Sequence, residues 1–398
     1  MRNRDFRRLW LSNGLWWHGL WMEQIVLGWL ALELTNSPWK VAMVGFCRAV
    51  PLLLGVFTSP IADRFRRRDL LVVLQVIMTI GIAVLLLLVW FGWLRYWHIA
   101  GVSLINGTVW TLDWSTRRAL FPDLVGRDRI VDAMLLENIT LGLAWFLGPL
   151  AGGVLMAWVG NAGALMLIVA IGCGSLVMLL GLKTDSRAPS SSIGLTDAVL
   201  RLQDGLRYVR RKPRIRGVLL ITVLINAWVF PVQTLLPVFA RDILGRGPLG
   251  LGVLAGFFGL GSLIGLNIVR WGRRRYGHPL IFVAGSMLCC VAIFFFSLSG
   301  VFALSLVLML VAGIGQAGFS TMQSGIILSE SNDEMRGRAL AALVLAIGGW
   351  PLGCLQCSGM VVTFGAPITV AAMAVTAVIG MSVVVILLPG FVRPAPAD

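Results

Sequence analysis

Glu23 and Glu137 are carboxylates inside long apolar runs, where an ionisable side chain must be paired, wetted or protonated. Glu23 follows Trp10 by about 13 residues, roughly 20 Å along a helix, so in a span crossing about 30 Å of hydrocarbon it reaches neither interface. Burial favours the neutral form of a carboxylate, whereas water or an approaching cation favours the charged form. A site that is alternately buried and opened can therefore take up and release a proton. Glu23 is the expected proton-coupling group, with Arg48 in the next apolar run as the approaching cation and Glu137 as its rival. A permanently neutral glutamic acid bonded to a neighbouring helix is the competing structural role. Arg48 itself can attract an anionic substrate or serve a structural partner, and His18, set among tryptophans, can relay protons or pack. Asp113 stands one turn before Arg117 near the end of its apolar run, a spacing that suits a structural gate facing the acid and basic cluster at Asp63, Arg64, Arg67 and Arg68.

These residues need elements to hold them, and the composition says which. Of the 398 residues, 58% are hydrophobic and 13% charged. Such a chain is membrane-embedded rather than a soluble domain. Apolar runs bounded by charge, Gly or Pro predict twelve helices, at 10–34, 39–62, 69–94, 97–119, 131–158, 161–182, 214–240, 247–271, 277–299, 301–328, 335–360 and 364–389. The net charge of +15 is spread over short clusters between spans, which argues topology and not nucleic acid. With a cytoplasmic N-terminus, every Lys and Arg except Lys40, Arg48, Arg95, Arg241 and Arg246 falls on the inner side. That bias predicts both termini cytoplasmic in a bacterial inner membrane. The basic start MRNRDFRRLW reads as a retained cytoplasmic end. The polar stretch 183–213 separates a bundle at 1–182 from one at 214–398, and its Leu195, Val199, Leu202, Leu206 and Val209 repeat at helical spacing, as in a surface-lying amphipathic helix or a solvated linker. The six cysteines lie within apolar segments; Cys354 and Cys357 form a CxxC without a second pair, so packing is expected and neither a disulfide framework nor a metal site.

Between the second and third runs the chain reads Ser59-Pro-Ile-Ala-Asp63-Arg64-Phe-Arg66-Arg67-Arg68. This resembles the G-x-x-x-D-R-x-G-R-R signature of the major facilitator superfamily, with Ser59 and Arg66 standing where it has glycine. The pattern returns at Gly265-Leu-Asn-Ile-Val269-Arg270-Trp-Gly272-Arg273-Arg274, lacking the acid at Val269. Two copies at equivalent places are an internal repeat. Gly148-Pro149-Leu-Ala-Gly152-Gly153 resembles the superfamily's antiporter motif, and its small residues also permit close helix packing. Phe6 to Trp10, Trp21-Met22-Glu23-Gln24, and Asp113 followed by Arg117-Arg118-Ala-Leu-Phe-Pro122-Asp123 are similar to the branch of enterobactin exporters and macrolide efflux pumps, as is the turn from Glu330 to Arg338. That branch usually has a neutral glutamine where Glu23 stands.

The resemblance implies an all-α polytopic protein of the major facilitator fold, twelve transmembrane helices in two pseudo-symmetric six-helix bundles. It also implies that helices one, four, seven and ten line a central cavity. The substrate-cavity candidates are then Trp17, His18, Trp21, Gln24, Arg48, Asn106, Trp110, Asn226, Gln233, Gln316 and Gln323, with Trp17, Trp21, Trp110 and Trp114 offering an aromatic wall. The gating candidates are Asp63, Arg64, Arg67, Arg68, Asp113, Arg117 and Glu330, and the helix-packing motif is Gly148, Pro149, Gly152 and Gly153. The expected function is a secondary active, proton-coupled exporter of a hydrophobic or amphipathic small molecule such as a drug or siderophore. A proton-independent facilitator or importer and a lipid translocator are the alternatives, and a receptor or scaffold the alternative of another class. No P-loop pattern is present, and the three histidines have no metal-ligand spacing, so no cofactor, metal or enzymatic activity is expected. The expected partners are a small-molecule substrate, protons and the lipid bilayer, with no nucleic acid, and the expected state is a monomer.

Overall fold

A computed structural model of the chain describes residues 4–54, 65–125, 130–184, 203–205, 207–332 and 335–392. Its helices are α1 (Arg4–Thr35), α2 (Pro38–Ala49), α3 (Arg67–Trp90), α4 (Tyr96–Val125), α5 (Ile130–Trp158) and α6 (Gly160–Leu180), followed by α7 (Pro213–Trp228), α8 (Pro248–Tyr276), α9 (His278–Leu298), α10 (Phe302–Glu330), α11 (Arg336–Ile347) and α12 (Gly349–Leu387), with a terminal turn Pro389–Val392. Among the described residues, eight segments are long and apolar enough to cross a membrane. One of these runs from Arg336 to Leu387 over 52 residues. At 1.5 Å per residue that is far longer than one bilayer crossing. It is broken at Gly365, whose φ of 74° and ψ of 169° only glycine adopts readily, so it supplies two spans. The three spans that miss the hydropathy and length criteria are α1, α2 and α4. They carry Glu23, Arg48, Asn106, Asp113 and Arg117, so most of the buried charge sits on spans that miss these criteria, Glu137 on α5 being the exception.

Prolines shape the helices that border the interface between halves. Pro51 cannot donate a backbone hydrogen bond, and the chain tightens into a 3-10 turn at Val50–Leu54. Pro231 and Pro237 do the same after α7, which passes into a 3-10 segment at Phe230–Leu235, a short helical turn at Leu236–Val238 and a π turn at Phe239–Ile243. Thr234 donates from its hydroxyl to the carbonyl of Pro231 at 2.6 Å. Irregular backbone at membrane depth is tolerated where it lines a cavity or is buried in protein.

Within the first half α1 packs on α5 and α6, and α3 on α4 and α6; within the second, α8 and α9 pack on α10, and α12 on α7 and α9. The halves meet along two seams, α5 against α8 and α2 against α12. A shift of six spans converts one seam into the other, as an internal repeat requires. The first seam depends on glycine: a Cβ on Gly153 would lie 2.7 Å from the Cα of Gly252, and one on Gly259 would lie 2.4 Å from the Trp145 backbone. Further contacts between halves join Gly28 to Pro237, Gly45 to Thr234, and Arg241 to the end of α1. All lie between the middle of the bundle and the end opposite the arginine-rich turns.

Candidate functional site

Glu23 is wholly buried, and its Oε1 accepts hydrogen bonds from Arg48 Nη1 at 2.9 Å and Asn106 Nδ2 at 3.0 Å. Its second oxygen, Oε2, has no partner among the described residues, nor has Asn106 Oδ1. Three helices converge to make this cluster. α1 supplies the acid, α2 the base and α4 the amide, and α4 comes close because Gly107 leaves room: a Cβ there would sit 2.0 Å from the carbonyl oxygen of Arg48. A buried pair with one carboxylate oxygen unbonded is held together yet incompletely satisfied.

Arg48 faces two ways. Behind it stands Glu23; in front is a narrow chamber between the halves, with a cavity volume of about 30 Å³, bordered by Gln24, Gly28, Arg48, Ser103, Gln233, Thr234 and Trp350 among others. A second hollow, of about 40 Å³, shares Gln24, Ile25 and Gln233 with the first and adds Trp21, Trp145, Pro149 and Phe258. The two are one aromatic seam at membrane depth. Trp21 meets Trp145 edge-on with centroids 5.0 Å apart, and Trp110 meets Trp350 in the same way at 5.8 Å.

The remaining candidates divide into three groups. Trp21, Gln24, Arg48 and Gln233 border the chamber, while Asn106 and Trp110 stand one layer behind it. Trp17 is turned away: its indole donates to Glu137 Oε1 at 2.7 Å, and it packs against Trp16 and Trp114 inside the first half. His18 engages the carbonyl of Gly14 on its own helix through Nδ1 at 2.7 Å. In the second half Asn226 donates to the carbonyl of Thr222, and Gln323 donates to the Thr222 hydroxyl at 2.7 Å, so both serve the interior of that half; Gln316 is buried in α10.

Asp63 and Arg64 lie outside the described residues. Asp113 pairs with Arg117 on its own helix instead of with the turn at 66–68. Arg117 is the centre of a buried polar hub, donating also to Ser12 Oγ at 2.9 Å, Asn13 Oδ1 at 2.7 Å and Gln75 Oε1 at 3.4 Å, with Trp16 over its guanidinium. Asn13 in turn donates to Glu137 Oε2 at 3.1 Å, which binds the rival carboxylate into the same hub. Arg67 pairs with Asp123 at 2.7 Å, and Arg68 donates to the carbonyl of Leu180. Glu330 accepts from Arg214 at 2.6 Å, within its own half. Ser12, Asn13, Gln75, Ser103, Trp145, Ser175 and Trp350 join these sites without belonging to any motif in the sequence. Asn13 and Gln75 are polar residues in apolar runs, the same signal that identifies the others.

The glycine motif in α5 serves two neighbours. A Cβ on Gly148 would approach the His18 carbonyl and one on Gly152 would approach Met22 and Ile25, all on α1, whereas Gly153 faces α8 of the other half. Of the surface helix expected in the linker, 203–205 and 207–210 are helical and the rest lies outside the described residues. Asp204 there pairs with Arg338 at 3.4 Å, and Tyr208 accepts from the Asn332 amide.

The profile of the transmembrane secretion effector family matches residues 1–392. The chain belongs to this family of major facilitator transporters. The staphyloferrin A transporter of Staphylococcus aureus is 24% identical over 89% of each chain. The enterobactin exporter EntS of Salmonella typhimurium is 23% identical over 77% of this chain and 73% of its own. The solved structure of a mutant form of the nucleoside transporter NupG superposes with a TM-score of 0.75 at 13% identity over 98% of this chain and 100% of that one. The chain is thus a multi-pass membrane transporter of the major facilitator fold and not an enzyme. Its branch is the one that the motifs around Trp21 and Arg117 indicated.

Proposed function

We propose that this transporter is a proton-coupled exporter of a hydrophobic or amphipathic small molecule, working by alternating access, with Glu23 as the coupling group. The observation that carries the reading is the Glu23–Arg48 pair, wholly buried on the acid's side and bordering the chamber on the base's side. A proton taken up at the unbonded Oε2 cancels the charge that holds Arg48 and leaves a net positive charge beside the chamber. Antiport then requires that proton and substrate oppose each other with equal and reciprocal coupling. Outward direction draws support from relatives whose names include an enterobactin exporter. The arginine-rich turns at the start of α3 and the end of α8 accord with cytoplasmic termini. The units are 1–182 and 214–398, joined by 183–213, acting as a monomer.

The test is Glu23→Gln in proteoliposomes. It is expected to keep substrate binding and exchange while losing accumulation driven by a proton gradient and the pH dependence of binding. Full proton-driven transport by this variant removes Glu23 from the role and passes it to Glu137.

A further inference from the structure

The chamber between the halves is unbalanced in its hydrogen-bonding character. Trp21, Trp145 and Trp350 border it, and the indole Nε1 of each is buried without a partner among the described residues; Ser103 Oγ, also on its border, is likewise unbonded there. Indole nitrogen is a donor only. Arg48 spends Nη1 on Glu23 and makes no other hydrogen bond among the described residues, and a guanidinium has donors and no acceptor. Thr234, the remaining hydroxyl on the border, already donates to a carbonyl. The unbonded acceptors nearby, Glu23 Oε2 and Asn106 Oδ1, belong to residues behind Arg48 that do not border the chamber. Gln24 and Gln233 can turn either end of an amide to a ligand and do not alter the balance.

Buried donors without acceptors cost free energy unless something supplies acceptors when the halves part. In a water-filled cavity water does so. In the substrate-bound chamber the substrate must. We infer that the substrate is an uncharged, flat or amphipathic molecule whose polar groups are hydrogen-bond acceptors, such as carbonyl and ether oxygens, and that Trp21, Trp145 and Trp350 select it through their indole N–H groups. An amine- or ammonium-bearing analogue of the same shape adds donors to a wall of donors and sets a positive charge near Arg48. It is disfavoured twice. This inference rests on the chamber being the substrate site, as proposed above, and extends that reading to the chemistry of the substrate.

Nile red and Nile blue test it, because they share one fused-ring frame and differ in that the first ends in a carbonyl and the second in a cationic nitrogen. Thermal unfolding of the purified protein in detergent, titrated with each dye, gives apparent affinities by mass action. Nile red is expected to bind at least tenfold more tightly than Nile blue. Trp21→Phe and Trp350→Phe, which keep a ring and remove the N–H, are each expected to weaken Nile red about fivefold, the worth of one ordinary hydrogen bond, and to leave Nile blue unchanged. Unchanged unfolding temperatures of the dye-free variants verify their folding. If one variant is destabilised, Trp145→Phe takes its place. Equal or tighter binding of Nile blue, or Nile red binding unaltered in the variants, overturns the donor rule and leaves the export reading standing. Failure of both dyes to bind wild type overturns the inference together with the chamber's assignment, while the Glu23→Gln experiment judges proton coupling separately.

Discussion

At the scale of single residues, the two buried acid–base pairs have different surroundings and therefore different uses. Arg48 borders the hollow between the halves with Glu23 directly behind it; Asp113 and Arg117 are locked among Ser12, Asn13 and Gln75 inside the first half. Arg117 is accordingly a structural keystone of the first half. Arg117→Gln leaves the Asp113 carboxylate buried without a cation, and breaking a buried pair in this way costs about 3–5 kcal/mol. The expected outcome is a large fall in the unfolding temperature in detergent, with part of it recovered by Asp113→Asn in the same chain. A double variant no more stable than Arg117→Gln alone would show that the pair's charge balance is not what matters. The sequence made the ionisable residues legible because charge in an apolar run is conspicuous. It did not make their partners legible. Asp113 and Arg117 at i, i+4 are neighbours on any helix, yet the expectation sent Asp113 across to the Asp63 turn, since gating was inferred from position near a membrane edge.

At the scale of elements, α5 is the strut between halves, and its small residues are divided between two tasks. Gly148 and Gly152 receive α1, whose facing atoms at Gly152 are the flexible ends of Met22 and Ile25. Gly153 meets backbone, with the Cα of Gly252 and the carbonyl of Pro248 both 2.7 Å from a built Cβ. Side chains can move aside and backbone cannot, so Gly153→Val is expected to part α5 from α8 where Gly152→Ala does not. Reactivity of a cysteine placed at Gln24 toward impermeant maleimide, added at the end opposite the arginine-rich turns, is expected to rise in the first variant and stay at the background level in the second. Equal labelling would mean that the seam is slack. The motif was legible as close packing, but which helix each glycine receives was not, because residues 152 and 153 differ by about 100° around the helix and only the assembled bundle says what stands on each side. The tryptophans teach the same lesson. Trp17 and Trp21 are one turn apart on α1, yet one bonds Glu137 inside the half and the other borders the chamber.

At the scale of the whole molecule, the twelve spans and the internal repeat were legible, since both are properties of hydropathy and spacing along the chain. The conformation was not, because it depends on a balance of contacts between halves that no local pattern encodes. In the described state one contact closes the far end directly: Arg241, after α7, donates through Nη1 to the Leu32 carbonyl at 3.2 Å and to Asn36 Oδ1 at 2.8 Å. Asn36 is set to receive it. Its φ of 48° places it in the left-handed region that asparagine tolerates, where it ends α1 and its amide returns to the Leu32 carbonyl at 2.8 Å. Asp242 holds the same guanidinium from the other side through Nε at 2.6 Å. The latch thus joins the end of the first span to the irregular end of the seventh, the two elements that must separate for the far end to open. In the alternating-access cycle proposed above it is made in one state and broken in the other, so its removal is expected to act on the population and not on either structure. A partly exposed contact of this kind contributes about 1 kcal/mol, which is a shift of about fivefold toward the state open at that end. Arg241→Ala is therefore expected to raise labelling of the Gln24→Cys thiol from the far side by about that factor while lowering it from the basic side, in an otherwise cysteine-free chain. Arg241→Lys keeps the charge but loses the Nε and Nη2 donors that hold Asp242 while Nη1 reaches the Leu32 carbonyl and Asn36, and is expected to fall between the two. A rise from both sides together would indicate general loosening, and no change in either would mean that the glycine seam alone holds the far end closed.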